Sequence, residues 1–181
     1  YGVLTSSMIV NDGGTVRLSE MCHPRVEPEV AFILKKDLHG PVTPVQAMAA
    51  VSGVCAALEV IDSRYRDFKF TLPDVVADNT SAARFVLGSN AIAPEGLDIG
   101  NLGIIFEING VIVETGSSAA VFEHPARSLA ELANMLARRG EYLRAGQIVL
   151  SGGATAAVEL NAGDHVRAII EDIGIAELRV A

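Results

Sequence analysis

Glu27-Pro28-Glu29-Val30-Ala31-Phe32-Ile33-Leu34 is the stretch on which the fold turns. Val30, Phe32 and Leu34 alternate with Glu29, Ala31 and Ile33, the period-two pattern of a β-strand. Residues two apart on a strand share a face. Glu27 and Glu29 therefore point the same way, with Ala31 and Ile33 continuing that side. Two like charges roughly 7 Å apart along a strand repel, and a divalent cation between them resolves the conflict. The alternative is an acidic strand edge facing solvent.

Glu59 weighs against that alternative. It lies within Ala56-Ala57-Leu58-Glu59-Val60-Ile61, a run apolar enough to be buried. An ionised carboxylate there is costly unless it is paired or metal-bound. A salt bridge from Glu59 to Arg64 is one solution; a site made of Glu27, Glu29 and Glu59 is the other. An all-oxygen donor set favours a hard cation, Mg²⁺ or Mn²⁺, over zinc. Three ligands on one side leave coordination positions open for substrate.

Outward from this centre, the chain reads as one domain over residues 1–181, without internal repeats or low-complexity linkers. Asn11-Asp12-Gly13-Gly14 separates the short apolar runs 8–10 and 15–18 and suggests a hairpin. After the 27–34 strand, Thr43, Pro44 and Gln46 form a capping-box signature. The helix it opens is expected to run through the small residues 47–57 and to hand over to a strand at 58–61. Residues 62–88 read as a long functional loop, too rich in large apolar side chains for disorder. Asn109-Gly110 marks a hairpin between 102–108 and 111–114. Ser128 and Glu131 suggest a capping box for a helix over 129–139, which Gly140 ends. Short strands follow at 148–150, 157–160, 165–171 and 176–180. Many short strands with two clear helices imply a β-rich α+β fold.

The 181 residues are sufficient for one substantial core, and half of them are hydrophobic. The net charge of −8, with no basic stripe, argues against a nucleic-acid partner. No apolar run approaches bilayer length. Tyr1 stands where an initiator Met is absent, no signal peptide is visible, and the sequence begins as though cut into an existing fold. Cys22 and Cys55 sit in no C-x-x-C pattern and read as reduced, buried thiols of a cytoplasmic protein.

Beyond the glutamates, residues 62–88 bring Asp62, Arg64, Lys69, Asp78 and Asn79 together with aromatic side chains. Lys69 lies between Phe68 and Phe70, where a partly desolvated ammonium could meet a substrate carboxylate or could simply snorkel over aromatic surface. Gly152-Gly153 and Thr155 could offer backbone N–H groups and a hydroxyl to an anion, or form an ordinary turn. His23, His39, His124 and His165 show no metal-binding spacing, and His39 and His165 read as surface residues. No Walker, Rossmann or nucleophile-elbow fingerprint is present.

The segments Glu27-Pro28-Glu29-Val30-Ala31-Phe32, Leu58-Glu59-Val60-Ile61-Asp62-Ser63-Arg64 and Val76-Ala77-Asp78-Asn79 resemble the fumarylacetoacetate hydrolase superfamily. Within it they resemble the branch of 2-hydroxypentadienoate hydratases and 4-oxalocrotonate decarboxylases. The run from Asp62 to Phe70 is closer to the decarboxylases, since the hydratases favour a Trp before the lysine. Arg84-Phe85-Val86-Leu87-Gly88 and Ser151-Gly152-Gly153-Ala154-Thr155-Ala156-Ala157-Val158 also look like the decarboxylases. The resemblance implies a β-rich catalytic fold with Glu27, Glu29 and Glu59 as Mg²⁺ ligands. It places Lys69 near the metal-bound substrate, as a binding and catalytic residue. Gly153 and Thr155 would line the pocket near a substrate carboxylate, and Asp78 joins the substrate-binding set. The implied activity is decarboxylation of 4-oxalocrotonate to 2-hydroxypenta-2,4-dienoate and CO₂ in meta-cleavage degradation of aromatic compounds, the alternatives being a 2-hydroxypentadienoate hydratase or a truncated metal- and partner-binding body without turnover. A small dicarboxylic oxo-acid substrate, an oligomer and a complex with the partner hydratase are implied as well. Members carry a further N-terminal segment with a G-L-K-like stretch, which is expected to be missing here.

Overall fold

The strand containing Glu27 and Glu29 is longer than its hydrophobic pattern suggested, and both its faces are covered in the middle. The computed structural model describes residues 1–181. In chain order the strands are β1 (Ile9–Val10), β2 (Thr15–Val16), β3 (Arg25–Leu34), β4 (Val51–Ile61), β5 (Ala82–Leu87), β6 (Gly103–Ile108), β7 (Val111–Ser117), β8 (Ile148–Leu150), β9 (Val158–Glu159), β10 (His165–Ile170) and β11 (Gly174–Val180). The helices are α1 (Pro44–Met48), α2 (Leu72–Ala77) and α3 (Pro125–Ala137).

One sheet has the order β1-β5-β4-β3-β8, with β9 also on β3; the other runs β2-β11-β10-β6-β7. Alternation on β3 puts Val26, Val30, Phe32 and Leu34 into a core shared with Val54, Ala56 and Leu58 of β4. Phe106, Val166, Ala168, Ala176 and Leu178 of the second sheet complete that core. Full burial of a Phe, Leu or Val is worth roughly 1.5–3 kcal/mol, so this shared core holds the two sheets together. The opposite face of β3 and β4 carries the glutamates, followed by a small cluster of Ala31, Cys55 and Ala57.

The β-rich α+β class holds, with several local differences. The 8–10 and 15–18 runs do not form a hairpin. β1 pairs parallel with β5 and β2 pairs parallel with β11, so the turn closed by Gly14 N–H on the Asn11 carbonyl (2.7 Å) passes the chain between sheets. The capping box forms as expected, Thr43 N–H donating to Gln46 Oε1 at 2.8 Å. The helix nevertheless stops at Met48, and residues 51–61 are strand. Small side chains are needed there because β4 is buried on both faces, and this packing overrides helix propensity.

Residues 62–88 are not one loop but hold α2 and β5. The helix expected at 129 begins at Pro125, capped by His124 Nδ1, which accepts from Ala126 N–H at 3.0 Å. Ser128 is therefore inside α3, and its hydroxyl donates to the Ser151 carbonyl (2.7 Å) instead of capping. The β6–β7 hairpin forms across Asn109-Gly110, whose φ values of 56° and 76° are those of a type I′ turn. No helix is long and apolar enough to cross a membrane.

Candidate metal centre

Strand register assembles the glutamates. Glu27 stands directly opposite Glu59 in the antiparallel β3–β4 ladder, and Glu29 is two residues along the same face, opposite Ala57. Carboxylate oxygens of Glu27, Glu29 and Glu59 all lie within 4.8 Å of one another. Like charges directly opposite in a ladder are destabilising, so this arrangement is unfavourable without a counter-charge. Arg64 does not supply one. Its guanidinium Nε donates to Asp78 Oδ1 at 2.5 Å and its Nη1 to the Asp62 carbonyl at 2.7 Å, which removes the Glu59–Arg64 salt bridge as an explanation.

Burial sharpens the conflict. Glu29 is fully buried. Desolvation, then the charges of Glu59 and Glu27, hold its carboxyl well above the usual range. Desolvation raises Glu59 too, and together with the charge of Glu59 it pushes Glu27 up to about 7. Glu29 Oε2 accepts from Gly152 N–H at 2.7 Å, while its Oε1 is buried with no hydrogen-bond partner. A buried acceptor without a partner calls for one, and a cation bridging three carboxylates meets that need. The residues fit a hard divalent ion: oxygen donors only, on adjacent rigid strands.

Gly153 packs against this centre. A Cβ built there would lie 2.6 Å from Glu27 Cδ, so only glycine leaves that carboxylate in place. Gly153→Ala is expected to weaken Mg²⁺ affinity by about tenfold, the lower end for changes around metal ligands, with little change in metal-free melting temperature. Isothermal titration of both proteins with Mg²⁺ checks this.

The other expected site residues are placed differently. Lys69 is not desolvated: its side chain is 83% exposed and its Nζ is 3.6 Å from Asp67. The preceding Phe68 packs tilted against His23 (4.7 Å between centroids, 31° between planes), with the Arg25 guanidinium 4.7 Å from its ring centroid. Asp78 is committed to Arg64 and also accepts from Ser81 Oγ at 3.2 Å. Thr155 is half-buried, its hydroxyl donating to the Ala156 carbonyl at 3.2 Å. Cys55 is buried, and burial pushes its thiol up to about 11, whereas Cys22 is exposed, contrary to expectation. Cys22 is turned outward because its backbone N–H, with that of His23, is held by the buried Asp62 carboxylate (both 2.8 Å).

Three contributors escaped the sequence reading: Ser151, Gly152 as a donor to Glu29, and Ser128. The Gly152-Gly153 pair signalled an anion-facing turn, but nothing local tells that the anion is Glu29. A cavity of about 810 Å³ opens beside the centre, lined at one end by Glu29, Glu59 and Gly152 and elsewhere by Leu132, Met135 and Arg139.

Known proteins place this geometry. The family model described as fumarylacetoacetate (FAA) hydrolase C-terminal matches residues 1–181. A 4-oxalocrotonate decarboxylase of Pseudomonas sp. is 49% identical over 96% of this chain and 67% of its own length. Another, from Pseudomonas sp. strain CF600, is 47% identical over 92% of this chain and 63% of its own. A 2-hydroxyhexa-2,4-dienoate hydratase of Comamonas testosteroni is 39% identical over 99% of this chain and 69% of its own. The solved 4-oxalocrotonate decarboxylase of Pseudomonas putida G7, complexed with magnesium and adipate, superposes with a TM-score of 0.96. It is 42% identical over 99% of this chain and 69% of that one. The chain thus spans about two thirds of the length of these relatives. With a match along its whole length and its glutamates gathered on one buried sheet face, the chain belongs to the fumarylacetoacetate hydrolase family.

Proposed function

We propose that this chain is the metal-binding catalytic body of a 4-oxalocrotonate decarboxylase, a carboxy-lyase of meta-cleavage catabolism, folded as one domain over residues 1–181. The observation that carries the reading is the glutamate triad around the buried Glu29, set in a chain that superposes along its length on a decarboxylase holding magnesium and adipate. Glu27, Glu29 and Glu59 hold Mg²⁺, with Mn²⁺ as the alternative hard ion. When bound, the ion supplies a Lewis acid that polarises a 2-oxo group.

The chain's own residues do the rest. The substrate is a small dicarboxylic oxo-acid, and its carbon chain has apolar walls in the cavity beside the centre, where Leu132, Met135 and Leu150 join Glu29 and Glu59. Held there, the substrate loses its distal carboxylate as CO₂, and the electron pair of the broken bond moves through the double bond to the 2-oxygen, which is protonated in the enol product. Gly153 keeps Glu27 in position, Thr155 offers a hydroxyl beside that loop, and Asp78 acts by fixing Arg64. Lys69, exposed and paired only with Asp67, is free to swing to the distal carboxylate or to carry a proton. Lys69→Ala is expected to raise KM by roughly tenfold, the loss of one charge-assisted hydrogen bond, while Mg²⁺ affinity stays unchanged. Steady-state kinetics beside Mg²⁺ titration separates the two, and an equal loss of metal affinity would contradict the assignment.

The test of the whole reading is CO₂ release from 4-oxalocrotonate with Mg²⁺. A hydratase releases none, and a metal-binding body without turnover is silent here but active when the chain is extended to the length of its relatives. A complex with 2-hydroxypentadienoate hydratase, which would consume the product, belongs to the same proposal, as do assembly into an oligomer and a cytoplasmic setting. The exposed edge-strand side chains Val111, Ile112 and Val113 offer apolar surface for contacts of that kind, and the free thiols suit a reducing compartment.

A further inference from the structure

Strand β3 has a gap along one edge. It pairs with β8 at Ala31, Phe32 and Ile33, and with β9 at Arg25 and Val26, while a loop crosses between these two ladders beside the glutamates. The loop is fastened there by Ser151 N–H on the Val30 carbonyl and Ala154 N–H on the Pro28 carbonyl, both 3.0 Å. Pro28 is tolerated in this central strand because the bond it cannot donate would face the loop.

The Ser151 side chain completes the bridge. Its hydroxyl oxygen accepts from Val30 N–H at 3.2 Å, taking the place of a backbone carbonyl. Its own carbonyl is thereby left to accept from Ser128 Oγ of α3 at 2.7 Å. The chain then turns at Gly152, whose φ of +102° suits glycine, and the Gly152 N–H reaches Glu29 Oε2 at 2.7 Å. Ser151 is buried, and its loop is fastened to Pro28, Glu29 and Val30, around the one glutamate of the three that is fully buried.

We propose that Ser151 is a positioning residue of the metal centre: its hydroxyl locks the loop whose Gly152 amide occupies Glu29 Oε2, so that Glu29 Oε1 is presented as the ligand atom. Ser128 assists from α3, which links the ligand to the wall of the adjoining cavity. Groups that orient metal ligands through hydrogen bonds typically change affinity by 10- to 100-fold when removed. This inference rests on the metal-site part of the proposed function and is independent of which reaction the centre catalyses.

The experiment is Mg²⁺ and Mn²⁺ titration calorimetry on the full chain, with metal-free melting temperatures measured in parallel. Ser151→Ala is expected to raise Kd by at least about tenfold, and Ser151→Thr, which keeps the hydroxyl, to restore most of that loss. A lower melting temperature with unchanged Kd means the serine is merely structural and overturns the proposal. If Ser151→Ala does not fold, Ser128→Ala takes its place, with a several-fold rise in Kd expected and no change overturning the idea. Wild type that binds neither ion would refute the metal centre itself, whereas tight binding by wild type and Ser151→Ala alike refutes only the role of Ser151.

Discussion

Glu59→Gln is expected to abolish metal-dependent turnover and the rise in melting temperature that Mg²⁺ produces, while the metal-free protein becomes more stable at pH 8. The two effects have opposite signs for one reason. Glu59 faces Glu27 across the ladder and lies close to Glu29, so without metal its charge is a liability in a desolvated site. Gln keeps the shape, removes one of three like charges and brings an amide N–H within reach of the unpartnered Glu29 Oε1. With metal present, the same change deletes one of three ligands. Thermal melting with EDTA and with Mg²⁺, beside a CO₂-release assay, reads both effects. Unchanged turnover of the variant at saturating Mg²⁺ would sink the triad.

Acidification is the second large effect. Glu27 titrates near 7 against an ordinary 4.5, and Glu29 and Glu59 are raised as well, mainly by desolvation. Between these limits the folded protein holds protons that the unfolded chain has released, so metal-free stability falls as pH rises. For Glu27 the penalty is complete above about pH 7 and vanishes below about pH 4.5, and the raised Glu29 and Glu59 act in the same direction. For Glu27 alone the shift corresponds to about 3 kcal/mol. The EDTA-treated protein should therefore melt higher at pH 5.5 than at pH 8. Mg²⁺ competes with these protons, so the gain in melting temperature on adding it should widen with pH. A metal-free melting temperature that is flat or rising from pH 5.5 to 8 would contradict the buried charge cluster.

Much of the site was legible before any fold was known. The shared face of Glu27 and Glu29 follows from the two-residue period of a strand, and the burial of Glu59 from its apolar neighbours. Both depend on local chemistry; the shared face stands in the structure, whereas Glu59 is half-buried, still desolvated enough to raise its carboxyl. The β6–β7 hairpin was readable for the same reason, because Asn109-Gly110 needs only its own backbone geometry to close. Local signals misled where packing decides. The Thr43–Gln46 box is real, yet it opens a helix of five residues, because the alanines beyond it fill a strand covered on both faces. The 62–88 segment looked like a loop because α2 and β5 are short and lack a long period of their own.

What the sequence by itself determined is the candidate donor set: three carboxylates, two of them fixed to one side of a strand, and a third in a run too apolar to leave it fully solvated. Alternation and desolvation are properties of a short stretch, so no tertiary knowledge was required. Only the tertiary structure decided how those donors are used. Antiparallel register places Glu59 opposite Glu27, and residues more than a hundred positions away close the centre. Gly152 takes one oxygen of Glu29, Gly153 leaves room for Glu27, and Asp78 holds Arg64. Those are non-local contacts, set by how two sheets and a helix share one core, and no pattern within a segment encodes them.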